Sequence, residues 1–95
     1  MANSILQSEK VCYITGSKIN LHKHHIFHGT GNRKISEDNG FWVWLQGDWH
    51  NQSDYGVHGK DGHDINFKLK EVCQAEYEKT HGREEFLQLI GRNYL

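Results

Sequence analysis

A small α+β domain is the fold class that the sequence predicts, on three observations. Apolar residues recur at helical spacing in the C-terminal third, where Ile65, Leu69, Val72, Cys73 and Tyr77 fall on one helix face. Short apolar runs bounded by turn residues occupy the first half. Read in order, the chain gives strands, then a loop, then helices. With 95 residues there is room for one domain, and 36% hydrophobic content without a single proline implies a small core. A metal, an oligomer or aromatic packing would have to supplement it, and aromatics make up 12%.

Residues 1–10 are polar and read as an arm, frayed or briefly helical, ahead of a single domain over 11–95. Val11 to Ile14 is a short apolar run, residues 15–18 read as a turn, and Ile19 to Phe27 as a second strand. Together they predict a β-hairpin over 11–27. The stretch from His28 to Gly40 is polar, carries glycines and reads as a loop. Phe41 to Leu45, the most apolar run, is a buried strand or the entry to a helix; five residues do not decide which. Gln46 to Gly62 reads as loop or broken helix. Beyond it come two helices. The first has Asp64 as a candidate cap and Gly82 as its end. The second, from Arg83 to Ile90, turns Phe86, Leu89 and Ile90 inward and carries Glu84 and Glu85 in its first turn.

Composition excludes several classes. No apolar run approaches the roughly 20 residues of a membrane helix, and the N-terminus lacks the basic start and apolar middle of a signal peptide. A cytoplasmic protein is expected, with no membrane partner. Cys12 and Cys73 lie far apart with no Cys-x-x-Cys, which favours reduced thiols over a disulfide. Eleven basic and twelve acidic residues argue against a protein that coats nucleic acid by bulk charge. A nuclease with locally clustered cations is not excluded. Residues 29–31 are too short and badly placed for a nucleotide-cradling loop, and no Ser or Cys sits with His in an acyl-transfer motif.

Histidine is the outlier, at eight in 95, seven of them between His22 and His63. It is the commonest metal ligand and a natural base near neutral pH. On a strand, alternation places His22 and His24 on one face and His25 with Lys23 on the other. Twist at the strand end could still bring His24 and His25 to one site, with His50 and His58 closing it from a second element. Such imidazoles suit zinc, nickel, manganese or iron with an open position for water. Histidines in polar loops are also often just solvated, and a histidine tract can bind adventitious metal. Nearby basic residues are Lys18, Lys23, Arg33, Lys34 and Lys60. Arg33 and Lys34, in a glycine-bearing segment, meet phosphates or are simply solvated.

Three segments resemble the HNH, or His-Me finger, nucleases, and among them the small phage-encoded proteins. The family pattern is a Cys-x-x-Cys knuckle, a strand ending in Asp/His-His-Ile, a loop asparagine, and Leu-Cys-x-x-Cys-His on a helix. Cys12-Tyr13-Ile14-Thr15-Gly16 is similar to the knuckle, His24-His25-Ile26 to the strand end, and Leu45 to Asn51 to the helical segment. The tail from Leu69 to Leu95 also looks like that of phage members. The resemblance implies a ββα-metal core with a helical turn near 48–54 and two C-terminal helices. It assigns His24, His50 and His58 as metal ligands and His25 as general base. Asn39, two positions before the site that spacing gives the family asparagine, where Phe41 stands, is the candidate to orient His25 through a shifted loop, with a backbone carbonyl as the alternative. Lys23, Arg33 and Lys34 become the nucleic-acid contacts.

The departures matter too. Thr15, Gln46 and Trp49 stand where three knuckle cysteines would be, so a four-cysteine structural zinc is not available. Trp49, helped by Trp42 or Trp44, is expected to pack against Val11, Tyr13 or Ile14 instead. The implied function is a metal-dependent DNA endonuclease using one divalent ion (Mg, Mn, Ni or Zn) in phage DNA processing or recombination. Protein partners are not specified, and a homo-oligomer is left open. A non-catalytic DNA- or protein-binding module keeping the fold, and a plain structural metal-binding domain, are the rival readings.

Overall fold

A computed structural model describes residues 3–29, 31–47 and 63–95 of the chain. Its elements are strand β1 (Leu21–His25), helix α1 (Asn32–Asn39), strand β2 (Trp42–Gln46), helix α2 (His63–Tyr77) and helix α3 (Arg83–Ile90). This is a small α+β arrangement: a two-stranded antiparallel sheet with three helices among the described residues. The expected helical turn near 48–54, and Trp49 with it, lie outside the described residues.

The predicted hairpin over 11–27 does not form. β1 pairs instead with β2, across the segment that contains α1, in the register Leu21 opposite Gln46 and His25 opposite Trp42. Residues 11–14 are not a strand. Cys12 begins a tight turn closed by Gly16 N–H to Cys12 O at 2.8 Å, and the next residue, Tyr13, donates its N–H to Trp44 O at 2.8 Å. The polar arm completes that border of β2. Ser4 Oγ donates to Trp42 O at 2.6 Å, and Trp44 N–H donates to Gln7 Oε1 at 2.8 Å. Residues 4–13 thus occupy backbone groups of β2 that would otherwise be a bare edge.

The second correction concerns His28 to Gly40, which contains helix α1 rather than only a loop. Ile35 is the one large apolar residue in that helix, so hydrophobic periodicity has almost nothing to register. Its buried contact is polar. Ser36 is fully buried, donates to Phe27 O at 2.6 Å and accepts Phe27 N–H at 3.1 Å, which clamps the exit of β1 onto the helix. Gly40 ends α1 with φ 76, and a Cβ there would collide with the Asn3 carbonyl oxygen.

Both C-terminal helices follow the spacing. Leu69, Cys73 and Tyr77 on α2 and Phe86 on α3 are buried. α2 ends at Tyr77 rather than at Gly82, which is the N-cap of α3, its N–H donating to Glu85 Oε1 at 3.3 Å. Phe27, Phe41, Tyr77 and Phe86 make an aromatic core, with Phe27 edge-on to Phe41 at 5.7 Å and to Phe86 at 5.6 Å. No described helix is long and apolar enough to cross a membrane. Cys12 and Cys73 are both buried, free thiols.

Candidate functional site

Cross-strand pairing sorts the histidines by face. Partners directly opposite share a face, so His22 and His24 lie with Leu45 and Val43, while Lys23 and His25 lie with Trp44 and Trp42. Val43 and Leu45 are fully buried and His24 is 1% exposed, so this is the core side of the sheet. His25 points the other way, beneath α1. The alternation expected from the sequence therefore holds, and β1 divides His24 from His25 rather than turning both to one side.

On the outer face His25 meets Glu37 of α1. His25 Nε2 and Glu37 Oε1 are 2.8 Å apart, and Lys23 Nζ donates to both carboxylate oxygens at 3.2 and 3.4 Å. An ionised carboxylate only accepts, so His25 donates from Nε2, and in the neutral ring Nδ1 is then the nitrogen without a proton. The hydrogen bond from His25, against the opposing effect of partial burial and with help from Lys23, holds the Glu37 carboxyl below its ordinary value. Lys23 is fixed in turn: its ammonium lies 4.3 Å from the Trp42 ring centroid. The Trp44 ring is covered by Lys10 at 4.6 Å.

A shallow surface depression of about 460 Å³ opens beside the pair, lined by His25, Gly31, Arg33, Lys34 and Glu37. Arg33 and Glu37 are one helical turn apart and so share that face of α1. Lys34 is paired with Asp38 at 2.7 Å on the exposed surface, and this neighbour raises its pKa above the ordinary value. Arg33 has no ion pair among the described residues.

Asn39 does not join this group. Its Nδ2 donates to Ile35 O at 2.9 Å, and it lines a separate cavity of about 430 Å³ with Ile5, Tyr77 and His81. Two residues along a helix correspond to roughly 200° of rotation, so positions 37 and 39 face nearly opposite ways. The side chain that contacts His25 is Glu37, which the sequence did not single out. Its signal was the Arg33–Glu37 spacing, readable only once a helix is assigned there.

The three knuckle-like positions that are described also converge. Thr15 Oγ1 lies 3.4 Å from Gln46 Oε1. Burial would raise the Cys12 thiol, yet the Thr15 hydroxyl and the backbone N–H groups of Gln46, Thr15 and Ile14 bring it below its ordinary value. Of the expected metal ligands, His24 is placed and His50 and His58 lie outside the described residues. Among the described residues no group of three His, Cys, Asp or Glu side chains is placed to hold a metal ion. Compared with protein-family models, curated proteins and solved structures, the chain matches none.

Proposed function

We propose that the chain is an endonuclease hydrolysing DNA phosphodiester bonds, with an HNH-type ββα core. The observation that carries this reading is the His25–Glu37 pair opening onto a depression shared with Arg33 and Lys34. A base with a fixed tautomer beside cations is what attack of water on a phosphodiester requires. In this scheme His25 Nδ1 takes the proton from the attacking water. Glu37 holds the ring and balances the imidazolium that forms, as a carboxylate does for a catalytic histidine elsewhere. Arg33 contacts the phosphate oxygens, since a guanidinium presents paired donors to them. Lys34 supplies further positive charge at the rim, shared with Asp38.

The proposal includes one divalent ion, Mg, Mn, Ni or Zn, with His24, His50 and His58 as its ligands. The described residues do not make that set by themselves, so no step is derived through the ion. An ion of this kind supplies charge neutralisation to a phosphate, but His24 lies on the core face of β1, opposite His25, so the ion is not placed at the depression.

Nicking of supercoiled plasmid in the presence of a divalent ion is the deciding experiment, run on wild type and His25→Ala. Wild type should nick, and the variant should lose about 10²–10⁴ in rate while keeping its melting temperature. A variant that nicks like wild type removes His25 from the role. DNA binding without any nicking by wild type would support the non-catalytic module instead.

A further inference from the structure

A second cationic feature lies away from the His25 depression, where the C-terminal tail docks on α2. Gln74, fully buried, accepts Tyr94 N–H at 2.7 Å and donates to Asn93 Oδ1 at 2.8 Å, which pins the tail to the helix. The pinned Tyr94 ring then gathers two cations. Lys70, one turn before Gln74, has its Nζ 5.5 Å from the ring centroid, and the Arg92 guanidinium carbon lies 4.9 Å from it. Phe67, 38% exposed, stands edge-on to the same ring at 5.8 Å.

Neither cation has an ion pair to a carboxylate among the described residues. That sets them apart from Lys23, Lys34, Lys79 and Arg83, each of which has an acidic partner. Folding thus brings two like charges together with no carboxylate paired to either among the described residues. Burial first, and the charge of Arg92 second, hold Lys70 below its ordinary pKa. A bound anion would supply a counter-charge. Two cations at one ring offer two contacts to an anionic polymer, and a nucleic-acid strand carries a charge about every 3.4 Å along the helix axis. Exposed Phe67 adds an aromatic surface of the kind that accompanies such contacts.

We propose that Lys70 and Arg92, assembled on Tyr94, form a second contact for the phosphodiester backbone of DNA, outside the depression that contains His25. The inference rests on DNA as the polymer recognised under the preceding reading, and it deepens that reading. Tyr94 also packs on Phe27 at 5.6 Å, two residues beyond His25, so the patch is joined to the end of β1. A strand reaching both places would be bound along a length greater than the depression alone.

The test is binding of the full chain to a labelled DNA duplex between about 50 and 200 mM salt, without added divalent ion. The double variant K70Q/R92Q should bind about ten-fold more weakly or worse at the lower salt. Its slope of log affinity against log salt should be shallower by about 1.8, the loss of two phosphate contacts. The charge-keeping variant K70R/R92K should retain the wild-type slope. An unchanged slope in K70Q/R92Q overturns the proposal. So does a polyglutamate chain that competes as strongly as DNA at equal charge, which would assign the patch to an acidic protein. Should K70Q/R92Q fail to fold, wild type decides: saturating duplex should protect the Lys70 amine from acylation, and equal modification with and without DNA refutes the contact. Because binding is read rather than cleavage, the two ideas separate. Nicking with an unchanged slope refutes this contact alone. A lost slope in a protein that never nicks keeps the contact and refutes the nuclease.

Discussion

Glu37 Oε1 lies 2.8 Å from His25 Nε2, and the same carboxylate receives the Lys23 ammonium. The pair joins a strand to a helix that sequence periodicity does not reveal, so it links fold and proposed chemistry at one point. Replacing the carboxylate by an amide keeps the shape and removes the charge. Glu37→Gln should therefore lower the nicking rate, by about 10- to 100-fold, as when an outer partner of a functional histidine is lost. Glu37→Asp should recover less than the full rate because the shorter side chain retracts from the ring.

The same residue makes a prediction for acid stability. Its folded pKa lies below the ordinary 4.5. A carboxyl depressed in this way contributes stability that is complete above the unfolded value and is lost as pH falls through the folded one. Melting temperature should decline below about pH 4.5, and Glu37→Gln should make that decline shallower. An identical acid limb in the variant would show that the pairing contributes nothing to folding.

Lys23 separates two roles that the sequence merged. Read as a strand cation near the site, it is a nucleic-acid contact; in the structure it chelates Glu37 and lies over Trp42. Lys23→Gln should therefore resemble Glu37→Gln, with slower nicking and a nearly unchanged salt slope of DNA binding. A slope shallower by about 0.9, with the nicking rate retained, would return Lys23 to the phosphate.

The parts legible in the sequence are those with an apolar period. Leu69, Cys73 and Tyr77 mark α2, and Phe86 marks α3, because each helix buries a stripe against the aromatic core. The face assignment of His24 and His25 was legible too, since alternation along a strand needs only the strand. Helix α1 was not, because its buried residue is Ser36 and the residue that contacts His25 is an acid among acids. The pairing of β1 with β2 was hidden for another reason. Residues 15–18 read as a hairpin turn, and Gly16 does adopt φ 79 in a turn, but that turn folds Cys12 back beside β2 instead of joining two strands. Local sequence reports the bend and not what the bend connects.

Ser36 tests the clamp directly. Removing its hydroxyl leaves the N–H and carbonyl of Phe27, a residue 2% exposed, without that partner. A buried polar group left unsatisfied costs about 1–3 kcal/mol, so Ser36→Ala should lower the denaturant midpoint by a corresponding amount with an unchanged slope. Because Phe27 follows His25 by two residues, nicking should fall as well. A midpoint equal to wild type would mean that other contacts hold the exit of β1.

Metal removal separates a catalytic ion from a structural one. In the resembled family a four-cysteine site ties the knuckle to the helix, and such a site can supply much of a small domain's folding energy. Here the turn is held without it. Cys12 N–H donates to Ser17 O, Gly16 N–H to Cys12 O and Tyr13 N–H to Trp44 O, each at 2.8 Å, and the Cys12 side chain is buried in the core. A chelator should stop nicking while the chain still melts cooperatively, losing only the stability that a bound ligand adds by mass action, about 2.7 kcal/mol at a hundred-fold excess over Kd. Cys12→Ala, by contrast, should destabilise by about 1–3 kcal/mol whether or not metal is present, because what it removes is packing and hydrogen bonding. Unfolding on chelation, or a Cys12→Ala cost that vanishes without metal, would place a structural ion at the knuckle.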